Sequence, residues 1–172
     1  ATVSAGTNPF SVAVNPVTNK IYVANYSSAN LTVIDGATNA TTTIATGTKP
    51  RSMAVNPTTN KIYVTHYSSA NVTVIDGATN TTTTVATGTQ PISVAVNTAT
   101  NRAYVANYGS NDVTVIDGVT SATTTVATGL GPTSAAVNPA TNRIYVTNVY
   151  NNNVTVIDGA TNATTTVAAG SS

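Results

Sequence analysis

The stretch Lys20–Pro50 reads KIYVANYSSANLTVIDGATNATTTIATGTKP, and it returns at Lys61–Pro91 as KIYVTHYSSANVTVIDGATNTTTTVATGTQP. Landmark residues fix the period. Asp35, Asp76, Asp117 and Asp158 stand 41 residues apart, as do Pro9, Pro50, Pro91 and Pro132, and Tyr22, Tyr63, Tyr104 and Tyr145. No insertion or deletion interrupts the four copies. A period kept to the residue confines the chain to folds in which one supersecondary unit is repeated and each unit buries its faces against its neighbours.

One period reads as four short strands and no helix. FSVAVN (Phe10–Asn15) alternates, and Pro16 to Asn19 supply turn chemistry after it. KIYVANY (Lys20–Tyr26) is the second strand, closed by a turn at Ser27 to Asn30. LTVID (Leu31–Asp35) is the third, and Gly36 in the following GATN turn is able to take a positive φ. TTTIAT (Thr41–Thr46) is the fourth, and Gly47 and Pro50 mark the crossing to the next unit. Alternation and β-branched enrichment agree on strands throughout.

A four-stranded antiparallel meander of about 40 residues, repeated, is the blade of a β-propeller. The expected class is therefore all-β, with four 41-residue blades: 9–49, 50–90, 91–131 and 132–172, preceded by residues 1–8. The side chains grade as such a blade requires. Ser, Ala and Val fill the first strand, where blades would crowd, and Thr fills the fourth, where an outer edge would meet water. The second strand carries Ile21 and Val23 on one face and Tyr22 and Ala24 on the other, as a strand between two sheets needs.

Only 6% of the 172 residues are charged and the formal net charge is +1, against about 25% charged in an average soluble domain. No basic footprint for nucleic acid or anionic lipid exists. The absence of cysteine excludes disulfides and thiolate chemistry. No apolar run reaches the roughly 18 residues of a membrane-spanning helix. The opening ATVSAG has neither an initiator Met nor a signal peptide, which fits a processed chain or a piece of a longer one. Abundant Asn and Thr with little Lys point to an extracellular or cell-surface setting.

The segment Tyr145-Val146-Thr147-Asn148 spells YVTN, and the other copies read YVAN at Tyr22, YVTH at Tyr63 and YVAN at Tyr104. With the flanking SVAVNP and VTVIDGATN, nearly the whole chain resembles the YVTN family of β-propeller repeats, found in archaeal surface-layer and bacterial secreted proteins. That resemblance implies a scaffold for adhesion or protein contact rather than a reaction. The family's propellers close with more blades than four, and this chain's small side chains suit a larger ring.

The eight residues ahead of the first blade add a constraint. ATVSAGTN aligns with the end of a fourth-type strand, so Thr2, Val3, Ser4 and Ala5 form a surplus strand able to pair with a neighbour's sheet edge. An open blade face measures roughly 300 Å² in plan and leaves about 7 kcal/mol of burial unrealised at the upper end. Self-association is expected, as a closed ring of two chains or a head-to-tail fibre. A four-bladed monomer or a fragment of a longer array is the alternative.

No reaction centre is legible. Asp35, Asp76, Asp117 and Asp158 each precede Gly, as in an Asx-type turn. His66 replaces an Asn found in the other copies and has no recurring partner. Ser11, Ser52, Ser93 and Ser134 read as packing residues. Lys20, Lys61, Arg102 and Arg143 read as a solvated rim or as a ring for an acidic glycan. The outliers Arg51, His66, Asp112, Leu130, Val149 and Tyr150 come from different copies and suggest no single constellation. No cofactor or metal is expected. The leading reading is a non-enzymatic structural or adhesive module whose partner is itself, with a glycan or protein at the cell surface. A ligand-binding propeller for glycan or peptide is the second reading, and a secreted lyase or hydrolase the third.

Asn-x-Ser/Thr acceptors stand at Asn25, Asn30, Asn39, Asn71, Asn80, Asn153 and Asn162, where glycans would project from turns and strand ends. Occupied acceptors would raise the intact mass of native material above the 17.3 kDa of the sequence. Mass spectrometry reads this directly, and an unshifted mass excludes it.

Overall fold

A computed structural model describes residues 2–170. The described chain holds four sheets of four antiparallel strands, each sheet in plain meander order. The first comprises β1 (Pro9–Asn15), β2 (Lys20–Asn25), β3 (Asn30–Asp35) and β4 (Thr41–Ala45). The second comprises β5 (Pro50–Asn56), β6 (Lys61–His66), β7 (Asn71–Asp76) and β8 (Thr82–Ala86). The third comprises β9 (Pro91–Asn97), β10 (Arg102–Asn107), β11 (Asp112–Asp117) and β12 (Thr123–Ala127). The fourth comprises β13 (Pro132–Asn138), β14 (Arg143–Asn148), β15 (Asn153–Asp158) and β16 (Thr164–Ala168). Thr2 to Ala5 form no strand within the chain, so the expected surplus strand is not paired here. The backbone turns at Gly6–Asn8, where Tyr26 N–H bonds Asn8 O (2.9 Å) and Thr7 N–H bonds Ser28 Oγ (3.0 Å).

The turns follow from side chains that compete for backbone donors. Asp35 Oδ1 accepts from Ala37 and Thr38 N–H at 2.9 Å each, and Asn15 Oδ1 caps the preceding turn through Val17 N–H at 3.0 Å. Both are Asx turns, and these bonds hold the Asp35 carboxyl below its usual range, first through Thr38. Gly36 does not use the positive φ open to it. Asn39 does, at 62°. Gly36 is needed for space instead: its N–H bonds Asn19 O at 2.8 Å, and a Cβ there would run into that carbonyl and the Asn19 side chain.

Register puts Tyr22 opposite Val33 and Ala13, and Ile21 opposite Ile34 and Val14. Each sheet therefore has two apolar faces. One bears Tyr22, Ala24, Leu31, Val33 and Ile44, and it packs on Met53, Val55, Ile62, Val64 and Ile75 of the second sheet. The same arrangement recurs between the second and third sheets around Tyr63 and between the third and fourth around Tyr104. The sheets approach most closely through their first strands, β1 on β5, β5 on β9 and β9 on β13, where Ser and Ala permit it.

Polar bonds clamp each junction. Asn15 Nδ2 donates to Asn60 Oδ1 at 2.8 Å, as Asn56 does to Asn101 and Asn97 to Asn142. Lys20 Nζ donates to Gly77 O (2.7 Å), Lys61 Nζ to Gly118 O (2.6 Å) and Arg102 Nη1 to Gly159 O (2.8 Å). Lys20, Lys61 and Arg102 are thus staples between sheets, not the solvated rim expected of them. Ser52 and Ser93 also do more than pack: their hydroxyls accept from Val94 N–H (3.3 Å) and Ala135 N–H (3.2 Å) on the next sheet.

A second polar bracket closes each sheet internally. The buried Asn25 donates through Nδ2 to Asn30 Oδ1 (2.8 Å) and Thr32 Oγ1 (3.0 Å), and Asn107 and Asn148 repeat this. His66 occupies the position in the second sheet. Its Nε2 meets Thr73 Oγ1 at 2.7 Å and accepts from Gly47 N–H at 3.3 Å, while its Nδ1 and Asn71 Oδ1 are buried without partners. Burial lowers its pKa from 6.5 to about 4.

Two outcomes follow from these interiors. Tyr63 is buried, its hydroxyl has no partner, and burial raises its pKa. Tyr63→Phe should therefore leave thermal stability unchanged or raised, whereas Tyr63→Ala should cost about 3–5 kcal/mol by chemical denaturation. For His66 the folded pKa lies below the unfolded one, so the unfolded state binds the proton first. Its contribution is whole above pH 6.5 and is lost as pH falls towards 4, by at most about 3 kcal/mol. His66→Asn should remove that window and raise Tm at neutral pH by restoring donors to Asn71 and Thr73. An unchanged pH profile would refute the assignment.

Candidate functional site

Antiparallel meanders send alternate turns to opposite ends of each sheet. One end gathers the β1–β2 and β3–β4 turns and their counterparts, with the four Asx aspartates and the basic staples. The other gathers the β2–β3 type turns and the linkers that lead into each sheet. There Tyr26, Tyr67, Tyr108 and Val149 each follow the last residue of a second strand. The linker main chain fixes them, since Tyr108 N–H bonds Gln90 O and Val149 N–H bonds Gly131 O, each at 3.0 Å.

Aromatic rings and cations alternate along this edge. The Lys49 ammonium lies 6.0 Å from the Tyr26 ring centre. Tyr26 meets Phe10 at 5.5 Å, tilted by 36°. The Arg51 guanidinium lies 5.8 Å from the Phe10 ring and 5.1 Å from that of Tyr67, within reach for cation–π attraction. Tyr108 stands 6.0 Å from Tyr150, and their hydroxyls hydrogen-bond. That bond is the first cause of a raised Tyr108 pKa. Phe10 is 55% and Tyr150 66% exposed. A pocket of about 360 Å³ opens beside Lys49, lined by Tyr26, Ser27, Ala29 and Thr48.

Several copy-specific residues stand at this end, while others, the exposed Val119 and Thr98 among them, lie in turns at the opposite end. Arg51 bridges two rings, and Leu130, Val149 and Tyr150 cluster about Gly131, whose φ of +66° and close approach to Tyr150 exclude a Cβ. His66 and Asp112 stand at the same end, where Asp112 accepts from Asn107 Nδ2 at 2.6 Å. These outliers come from different copies and share one end in separate places: Arg51 between the Phe10 and Tyr67 rings, Leu130, Val149 and Tyr150 about Gly131, and His66 in the interior. Lys49, Phe10 and the three tyrosines were not singled out in the sequence, because each looks like an ordinary variation until the linkers bring them together.

The Asn-x-Ser/Thr residues separate by burial. Asn25 is excluded as an acceptor in the folded chain, because its amide is buried and both donors are engaged. Asn30, Asn71 and Asn153 are half-buried at strand starts, and Asn80 and Asn162 half-buried in turns. Asn39 is exposed on a turn. Among the described residues no group of three or more His, Asp or Glu is placed to hold a metal ion.

No protein-family model matches the chain, and no curated protein does. Solved structures do. The chain is similar to a hydrazine synthase of Kuenenia stuttgartiensis, at TM-score 0.82 and 23% identity over 97% of this chain and 51% of that one. It is also similar to a functionally unknown protein from Desulfotomaculum acetoxidans, at TM-score 0.73 and 16% identity over 97% of this chain and 56% of that one. The chain thus spans about half the length of each, and the likeness is one of fold.

Proposed function

We propose that the chain is an arc of a β-propeller of YVTN type, serving outside the cell as a non-enzymatic structural and adhesive module that meets its partner through the aromatic and cationic edge. The observation that carries this reading is the copy-specific Arg51 set between the Phe10 and Tyr67 rings, with Lys49 and Tyr26 beside them, at one end of the body. A scaffold needs only repetition. A contact surface needs residues that break it, gathered in one place and exposed.

The chemistry of the edge selects an acidic glycan. Ring faces of Phe10, Tyr26 and Tyr67 offer flat apolar surface to sugar C–H groups, and Arg51 and Lys49 stand ready for carboxylates between them. Lys49 and Arg51 outweigh Asp112, the one acid at this end, whereas the remaining aspartates are committed to turns at the other. A lyase or hydrolase has less support, since the sole histidine is buried and its free ring nitrogen faces no solvent. The hydrazine synthase likeness supports the fold and carries no hydrazine chemistry to this chain.

Titration with oligogalacturonate, followed by tyrosine fluorescence, tests the reading. Binding should exceed that of a neutral malto-oligosaccharide, fall at least tenfold in Arg51→Ala and Tyr67→Ala, and weaken with salt. Arg143→Ala, at the opposite end, should leave it unchanged. Equal binding of acidic and neutral sugars, or full binding by Arg51→Ala, would overturn the assignment.

A further inference from the structure

Three junctions between sheets repeat one set of contacts, and each end of the chain holds one unmatched half of a fourth. The leading half is on the fourth sheet. Asn138 matches Asn15, Asn56 and Asn97, but those are buried donors and Asn138 is exposed. Arg143 matches the staples Lys20, Lys61 and Arg102 and is exposed. Tyr145 is 38% exposed, where Tyr22, Tyr63 and Tyr104 are buried. Val167 is exposed too, where Ile44, Val85 and Val126 are buried.

The receiving half is on the first sheet. Asn19 matches the acceptors Asn60, Asn101 and Asn142, and Gly36 matches Gly77, Gly118 and Gly159, whose carbonyls take the staples. Gly36 is exposed and those three are buried. Val12 and Val14 are 65% and 54% exposed, where their counterparts Met53 and Val55 pack beneath Tyr22. Donor, acceptor, ring and apolar wall all survive at the two ends in the residue types used inside.

We propose that the open face of the fourth sheet binds the open face of the first sheet of a second copy, in the register of the internal junctions. Asn138 donates to Asn19 of the second copy, Arg143 to its Gly36 carbonyl, and Tyr145 covers its Val12 and Val14. The contact is head-to-tail, so each copy offers one face of each kind, and closure by two copies leaves none open. Thr2 to Ala5 then acquire a place. They stand four periods ahead of Thr166 to Ala169, so docking brings them to the outer edge that β16 already occupies, where they pair along its free side. The inference is independent of the ligand proposed for the aromatic edge.

Light scattering behind a sizing column, over a wide range of concentration, tests it on the 172-residue chain. The unaltered chain should show a mass of two or more chains. Tyr145→Arg and Val12→Arg each alter an exposed side chain, so each should keep the circular dichroism of the parent yet fall to the mass of one chain. An equimolar mixture of the two variants retains one intact pair of faces and should give a species of two chains that grows no further. A single-chain mass for the unaltered protein at every concentration would overturn the proposal. So would assembly that survives both substitutions, or a mixture that stays at one chain while both variants are folded.

Discussion

Each sheet gives its successor a tyrosine ring, an asparagine amide and a basic side chain, and receives in return a wall of Val and Ile, an asparagine oxygen and a glycine carbonyl. This interlock is what the rest of the structure depends on. A four-stranded sheet of five- to seven-residue strands has too little interior to stand alone, and here both of its faces are apolar. The ring of Tyr63 fills the space between its sheet and the next, while the Asn56–Asn101 and Lys61–Gly118 bonds at its end of the junction fix the sliding register. Burial supplies most of the energy, and the polar clamps supply specificity, because a slipped sheet would strand a buried amide.

The interlock also explains a surface with so little charge. Of the six basic residues, three are spent inside junctions as staples to main-chain carbonyls, and four of the five aspartates shape turns. The exposed fourth strands present Thr rather than Lys or Glu. Hydroxyls and amides supply most of the polar surface, which leaves Lys49 and Arg51 conspicuous among the rings at the linker end. His66 shows the limit of tolerance inside: a ring replaces an amide, keeps the contact to Thr73, and leaves Nδ1 and Asn71 Oδ1 unsatisfied.

Much of the fold was legible in particular residues. Alternation at Lys20 to Tyr26 and at Leu31 to Asp35 gave those strands to within a residue of their observed ends, since a period-two pattern is a local signal. The Asp35 turn was legible because an Asx turn closes within three residues. The reason for Gly36 was not legible, because the need for its missing side chain comes from Asn19, on another turn. The role of Lys20 was not legible, because its partner lies 57 residues away. The aromatic edge was missed for the same reason, as Arg51 joins rings from two different copies.

The sequence by itself determined the period, the number and direction of the strands, and which side chains share a face. Backbone geometry and side-chain alternation act over a few residues, so every copy states them in full. Only the tertiary structure decided which copy's donor meets which copy's acceptor, which of the repeated residues are buried and which are left bare at the two ends, and that Arg51 reaches the rings of two copies. Those relations exist between sheets. A repeat carries both halves of every junction in each copy, so its sequence looks complete everywhere, and the unmatched halves appear only when the sheets are stacked.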